Sequence, residues 1–490
     1  MAFTDRLHNR GSVSTENFDI AQSATFDDTR NQWLENTMSY NSGRANNTYK
    51  KMTLSMWVKR GSQSTSKTHT LWSSASSART SRITFAANNR IIMYLSAQSG
   101  YNENPETYAY FRDHSAWYHI VVRVDTTLST AADRLRLYVN GIQQTWAEAP
   151  DIDQNTAEEF TSFQPCTHAI GGENGYSNST GGNFDGQIAE VNYMANMSVE
   201  PTTFGKFDDN GHWIPIDTTN LSYDAPEDSY RIDFGATDSS NPYNDTSGNA
   251  QHFSNGSSSG APRIGTDTPT NNFCIMNPLT SFANDTYIYQ SGAGHLIQGQ
   301  SGAYQLRWGS IGINPTHNSS KWYWECKNQS NIHSSNNEYS WGVAREVRIV
   351  DIKGGGSQGD FLNGDNLARY MSSYNTGGNG TGANQIWGVM LDCSGTYPAV
   401  TLYRDGTQVY TYTYSSYALY YGHEHMFPSC GVYGSGSELV FNFGGGTIQE
   451  FTVSSGNTDA NGYGNFEYAP PTGALALCSK NLADSGGSYS

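Results

Sequence analysis

Gly434-Ser435-Gly436-Ser437 is the nearest this chain comes to a serine nucleophile. A hydrolase serine needs the strained Gly-x-Ser-x-Gly elbow that leads into a helix. Here the spacing differs and the run separates two strand-like stretches, so it reads as a turn. His423-Glu424-His425 sets two imidazoles on one face of an extended segment, which is half of a metal site. Without further ligands it reads as a polar strand end before Met426-Phe427. Asp151-Ile152-Asp153-Gln154-Asn155 opens like an EF-hand loop, then fails with Thr156 where Gly is needed and Ser162 where Glu is needed. Glu158 and Glu159 are adjacent, so on a strand they point to opposite faces. Glycoside hydrolysis needs two carboxylates facing each other ~5–9 Å apart. Gly354-Gly355-Gly356 is followed by Ser-Gln-Gly instead of the Lys-Ser/Thr of a phosphate loop. The cysteines (Cys166, Cys274, Cys326, Cys393, Cys430 and Cys478) include no Cys-x-x-Cys and read as free, mostly buried thiols of a reducing compartment. No catalytic residue, cofactor site or metal site emerges, and the expectation is a binding protein and not an enzyme.

Composition sets the surface on which binding would occur. The chain has 490 residues, enough for two or three domains. Only 15% of residues are charged, so the surface must be built largely of Ser, Thr, Asn, Gly and Tyr. Aromatics reach 13%, enough to fill sizeable cores, and 50 glycines argue for many turns between short strands. The net charge of −17 lacks the basic footprint that nucleic acid or an anionic membrane demands. It suits an exterior protein kept apart from its neighbours by like charge. No apolar run approaches the ~20 residues of a membrane helix. Residues 1–12 lack the apolar segment of a secretory signal, so the chain is expected to be made and folded in a cytoplasm.

The elements that must position any site are strands. Leu137-Tyr-Val-Asn-Gly-Ile-Gln143 and Leu402-Tyr-Arg-Asp-Gly-Thr-Gln408 share one pattern built around Asn-Gly and Asp-Gly, the strongest short hairpin signals. Each follows an apolar strand that ends in Asp, at Asp125 and Asp392. Met52-Thr-Leu-Ser-Met-Trp-Val58 alternates with the period of a half-buried strand, and Arg82–Phe85 and Arg90–Leu95 read as neighbours across Ala-Ala-Asn-Asn. Helix signals are weak, with at most one short turn at 366–371. The expected fold class is all-β: two tandem jelly-roll sandwiches. The expected layout is an N-terminal arm over 1–25, a first sandwich over 26–205 and a connector packing on it over 206–272, with a strand at 230–234. A second sandwich follows over 273–482, then a flexible tail over 483–490.

The two halves resemble different families. Leu54-Ser-Met-Trp-Val-Lys59, Ala116-Trp-Tyr-His-Ile-Val-Val122, Leu135-Arg-Leu-Tyr-Val-Asn-Gly141 and Phe184-Asp-Gly-Gln-Ile-Ala-Glu190 resemble laminin-G-like, concanavalin-type jelly rolls. Trp322-Tyr-Trp-Glu325, Trp387-Gly-Val-Met-Leu-Asp392, Leu402-Tyr-Arg-Asp-Gly406 and Leu439-Val-Phe-Asn-Phe-Gly444 resemble a SPRY domain. The combination adds more. Residues 1–12, Trp57-Val-Lys-Arg60, Phe111-Arg-Asp-His-Ser-Ala-Trp-Tyr-His119, Asp267-Thr-Pro-Thr-Asn-Asn-Phe273 and the stretch from Pro470 to Leu482 resemble pieces of structural proteins of tailed marine bacteriophages.

That resemblance implies a virion protein, most often a tail fibre or host-attachment protein, with other virion proteins as partners. A homotrimer that meets host-surface glycan is expected, docked through the 1–25 arm. Capsid decoration or a head fibre is the alternative, and a polysaccharide-degrading tail enzyme is a third reading. Concanavalin-like glycosidases typically carry a Glu-x-Asp-x-x-Glu strand, which this chain lacks. Laminin-G-like domains often hold Ca²⁺ at loop rims, which implicates Asp185 or Asp125. The loops at 96–110, 173–183 and 354–382 combine Tyr with Ser, Gly and Asn, the make-up of adaptable recognition surfaces. Tyr101, Tyr176, Tyr370 and Tyr374 are the glycan-binding candidates.

Overall fold

A computed structural model of the chain describes residues 18–485 except 39–48, 62–67, 77–79, 97–101, 149, 157–165, 174–181, 226–227, 236–240, 281–289, 300–303, 316–317, 330–337, 346–366, 372–382, 415–424 and 434–436. The chain divides into two units, residues 14–270 and 271–490. Among the described residues no helix is long and apolar enough to cross a membrane. The architecture is nearly all-β, in sheets that are antiparallel apart from the parallel pairs Gly182–Asn183 with His69–Ala75 and Ala474–Ala476 with Lys321–Asn328 among the described residues.

In the first unit, one sheet runs in the order Ile142–Gln143, Leu135–Val139, Trp117–Asp125, Lys51–Arg60, Gly186–Ala195, Ser23–Phe26, Arg263–Gly265. The facing sheet runs Ser254–Asn255, Leu34–Met38, Cys166–Ile170, His69–Ala75, Thr80–Phe85, Ile91–Ser96, Asn102–Glu103. Alternation in Lys51–Arg60 sends Met52, Leu54, Met56 and Val58 inward against Leu71, Trp72, Ile83 and Phe85. The outward residues of that strand are buried too, because a second apolar layer of Trp57, Trp117, Ala189 and Trp213 closes the sheet's outer face. Lys59, on the same face, meets Asp267 at 2.7 Å with both side chains sealed from water, and Trp117 Nε1 donates to that carboxylate at 3.1 Å.

Strict alternation along Gly186–Ala195 would drive Glu190 into the core. Instead the register shifts between Ala189 and Asn192, with Glu190 at φ 43°. This bulge turns the carboxylate away from the core towards Arg231, 3.6 Å away, and Thr218. Arg231 comes from Tyr230–Ile232, which pairs antiparallel with Gly186–Ala195. Burial pushes the Glu190 carboxyl up, and Arg231 opposes it.

In the second unit the order is Thr407–Thr413, Ala399–Arg404, Ile386–Asp392, Lys321–Asn328, Glu438–Asn442, Leu296–Gln298, Gln290–Ser291. The other sheet runs Tyr304–Trp308, Met426–Tyr433, Glu338–Arg345, Leu367–Met371. Trp322, Trp324 and Cys326 point inward to a core shared with Trp341, Val343, Cys430 and Val432. Tyr323 points outward, under Phe273 and Phe466. All six cysteines are buried and unbridged.

Four expectations differ from the structure. Residues 23–25 are not part of an arm, because Ser23–Phe26 is a strand held between Gly186–Ala195 and Arg263–Gly265. Residues 367–371 form a strand instead of a helical turn, since pairing with Glu338–Arg345 supplies the backbone partners. Tyr370 therefore lies in a strand and not in a loop. The tail is ordered further than expected: Ser479–Ser485 is a helix, and buried Asn481 ties it to Asp459 at 2.6 Å.

Candidate functional site

The strongest constellation lies at one end of the first unit's sheet. Ser23–Phe26 pairs with Gly186–Ala195, and the last matched residues are Phe26 and Gly186. One step further, Asp27 faces Asp185. Like charges placed directly across a strand pair repel. The chain adds a third at Asp28, and oxygens of Asp27, Asp28 and Asp185 all lie within 4.8 Å of one another. Asp27 and Asp185 are buried, and Asp28 is half-buried.

Asp27 is fixed as the N-cap of the short 3-10 turn Asp28–Arg30. Its Oδ1 accepts from the Thr29 amide at 3.0 Å and from Thr29 Oγ1 at 2.6 Å. Its own amide donates to Gln32 Oε1 at 3.0 Å, and Gln32 Nε2 reaches Ala261 O at 3.1 Å. Asp185 is placed by the Gly61 amide, which donates to its carbonyl at 2.9 Å. Arg30 Nε lies 3.8 Å from Asp27 Oδ2.

The donor set consists of hard oxygens. Ca²⁺ takes six to eight such ligands at ~2.3–2.6 Å, which puts the ligands of one ion within about 5 Å of each other. Three carboxylates gathered this closely repel one another, and a divalent cation among them would relieve that repulsion. The residues present therefore fit Ca²⁺, with carbonyls and water completing the shell.

Of the two rim candidates, the structure brings only Asp185 into this cluster. Asp125 is engaged elsewhere, 3.4 Å from Lys51 and accepting from the Thr127 amide at 3.1 Å. Tyr101, Tyr176 and Tyr374 lie outside the described residues, as do His423, Glu158 and Glu159. His425 is buried, while Asp151 and Asp153 are exposed and join no metal-type cluster among the described residues.

Sequence reasoning missed Asp27 and Asp28. An Asp pair directly after Ser-Ala-Thr-Phe was the available signal, but only pairing puts it opposite Asp185. It also missed Tyr108 and Tyr110, which lie inside the 96–110 loop it singled out and are 69% and 49% exposed.

Residues 28–195 match the family model described as the concanavalin A-like lectin/glucanases superfamily, and that stretch has this fold. Domains LG4-5 of the mouse laminin alpha1 chain are similar over 95% of this chain and 89% of theirs, at 7% identity and a TM-score of 0.28. The carbohydrate-binding module of a Ruminococcus gnavus sialidase, solved with α2,3-sialyllactose, is similar over 37% of this chain and 95% of its own, at 12% identity and a TM-score of 0.26. The SPRY domain of human HERC1 is similar over 36% of this chain and 99% of its own, at 10% identity and a TM-score of 0.23. No curated protein matches the chain.

Proposed function

We propose that this chain is a non-catalytic carbohydrate-recognition protein of a bacteriophage virion. In this reading it is a tail-fibre or host-attachment component, homotrimeric, that binds host-surface glycan. The observation that carries glycan binding is the match of residues 28–195 to the concanavalin A-like lectin/glucanases superfamily. Binding is favoured over cleavage because the clustered carboxylates Asp27 and Asp185 are buried, closed to a sugar that would have to lie between them. Asp27, Asp28 and Asp185 would hold Ca²⁺, which would fix the loop ends at that rim of the sandwich. The virion assignment rests on the phage-like sequence pieces, Phe111–His119 and Asp267–Phe273 among them.

The purified chain, with and without Ca²⁺, is to be tested against envelope polysaccharides of candidate bacterial hosts, alongside antibody labelling of virions in the electron microscope. Retention on polysaccharide and label on the tail are the expected results. Label on the capsid face would replace attachment with decoration. Release of oligosaccharide, abolished by one Asp or Glu substitution, would overturn the non-catalytic reading.

A further inference from the structure

The segment from Pro105 to Arg112 is held rigidly along both sides. Met93 N–H donates to Pro105 O at 3.1 Å, Thr107 N–H to Ile91 O at 2.9 Å, and Tyr108 N–H to Thr145 O at 2.8 Å. Ala147 N–H donates to Glu106 O at 2.7 Å, and Phe111 N–H to Asn89 O at 2.7 Å. Beneath it, the buried Arg60 guanidinium donates to Asn89 Oδ1 at 2.9 Å and to Phe111 O, with its carbon 4.6 Å from the Phe85 ring centre. On this fixed backbone Tyr108 and Tyr110 stand in water.

Their surroundings are specific. The Arg90 guanidinium lies 4.5 Å from the Tyr110 ring centre and 5.8 Å from that of Tyr108, and Nη2 donates to Tyr110 Oη at 2.7 Å. Arg112 places a second guanidinium 4.7 Å from the Tyr110 ring centre. The Glu106 carboxylate joins this group: it is 3.4 Å from Arg90 Nη1 and accepts from Asn88 Nδ2. Arg112 is exposed and makes no ion pair among the described residues. The neighbouring Asp113 carboxylate is turned to Ser115, accepting from its amide at 2.8 Å and its hydroxyl at 2.6 Å. Two guanidiniums thus share the Tyr110 ring while Glu106 pairs with Arg90, a local concentration of cations on a chain of net charge −17.

We infer that Tyr108, Tyr110, Arg90 and Arg112 form a binding platform for an acidic glycan, a pyranose chain bearing carboxylate or sulfate. Sugar C–H faces stack on the two rings, the anionic group sits on the guanidiniums, and Glu106 and Asn88 take hydroxyls. Rigid tyrosines give contact area at low entropic cost, and planar guanidinium matches carboxylate or sulfate in a bidentate way. The inference rests on the glycan-recognition reading above and names the ligand class and place.

The test uses the full chain against matched neutral, uronate-bearing and sulfated polysaccharides, by biolayer interferometry at low and high salt. Acidic chains are expected to bind in a salt-sensitive way and neutral ones at least tenfold more weakly. Tyr108→Ala/Tyr110→Ala together and Arg112→Gln alone are each expected to weaken acidic-glycan binding at least tenfold. Tyr397→Ala, another exposed tyrosine, leaves it unchanged, and circular dichroism checks that each variant is folded. Equal binding of neutral chains that Arg112→Gln does not alter would overturn the acidic class. Acidic-glycan binding untouched by the tyrosine pair would overturn the platform while leaving glycan recognition standing. Absence of binding to any polysaccharide would instead bring down the glycan reading itself.

Discussion

The two units solve the same strand-turn problem with the same devices and then diverge in what they bury over it. In each, a lysine opens the central strand and faces the aspartate that ends its neighbour. Lys51 and Asp125 are register partners at 3.4 Å, and Lys321 and Asp392 at 3.0 Å. Each aspartate then caps the following turn, through the Thr127 amide at 3.1 Å and the Ser394 amide at 2.9 Å. Each hairpin has both central residues at positive φ, Asn140 and Gly141 at 51° and 74°, Asp405 and Gly406 at 48° and 78°. The turn side chain also reaches across: Asn140 Oδ1 accepts from the His119 amide at 2.8 Å, and Asp405 Oδ1 from the Ile386 amide at 3.0 Å.

The hairpin glycine in each unit lies against an aromatic of the segment that covers the sheet. A Cβ on Gly141 would fall 2.3 Å from Trp213, and one on Gly406 would fall 2.6 Å from Tyr468. The anchor of that covering segment is where the units part. In the first, Trp213 Nε1 donates to His119 Nδ1 at 2.9 Å, and His119 Nε2 meets Ser55 Oγ at 2.8 Å. An indole N–H only donates, so Nδ1 is the acceptor and Nε2 carries the proton. In the second, Glu325 accepts from the amides of Tyr468 at 2.8 Å and Glu467 at 3.0 Å, from Asn442 Nδ2 at 3.1 Å and from Tyr323 Oη at 3.3 Å. A neutral imidazole and a buried carboxyl do the same job with opposite responses to protons.

The sharpest way to break this comparison is at the two glycines. Gly141→Ala is expected to cost about 3 kcal/mol or more, combining the left-handed backbone penalty with overpacking against a buried, hydrogen-bonded Trp213. Gly406→Ala should cost ~1–2 kcal/mol, because the half-buried Tyr468 ring can move. Equal losses in urea denaturation would show that the covering aromatic does not distinguish the turns.

Next in size is the pH response, read as two transitions in calorimetry of the full chain. Burial drops His119 and His168 from 6.5 to about 3. Their folded values are depressed, so this stability is present above pH 6.5 and is lost as pH falls from 6.5 towards 3. By pH 4.5 that is of order 3 kcal/mol per histidine. Burial raises Glu325 from 4.5 to about 7, against the pull of its four donors. Its folded state holds the proton more tightly, so stability is present below pH 4.5 and is lost as pH rises through about 7, by ~3 kcal/mol. Acidification from pH 7 to 4.5 should therefore lower one transition and raise the other, and parallel shifts would refute the assignment of the two anchors.

Glu325→Gln sharpens the same point at ~2 kcal/mol, since in either orientation the amide NH₂ would meet a backbone N–H, of Tyr468 or of Glu467, that can only donate. It should also abolish the alkaline loss in the second unit's transition. The smallest expected effect is at the lysine–aspartate pairs. Double-mutant cycles on Lys51/Asp125 and Lys321/Asp392 should each give no more than ~1 kcal/mol, because both lysines are partly exposed. A larger coupling would mark these pairs as more than register markers.

Much of this fold was legible in the chain. Asn140-Gly141 and Asp405-Gly406 state their turns outright, because few residue pairs accept two positive φ angles in a row. Met52 to Val58 declares its inward face by alternation alone. The rest was hidden for definite reasons. The Glu190 bulge breaks the period that sequence reading relies on. Leu367–Met371 is a strand by virtue of a partner distant in the sequence. The outward residues Ser55, Trp57, Lys59 and Glu325 read as solvent-facing until a later segment covers them.

The strand and turn grammar, the lack of a basic footprint and the concanavalin-like character of the first half are written in residue order, since all are properties of neighbours along the chain. Tertiary structure alone decided which charges meet. Asp27 and Asp28 lie more than 150 residues from Asp185 in the chain and come together only because Ser23–Phe26 inserts beside Gly186–Ala195. Tyr108 and Tyr110 gain their guanidiniums only because backbone bonds from Ile91, Met93 and Thr145 hold that segment in place. Carboxylate clustering and aromatic presentation depend on distances through space, which residue order does not contain.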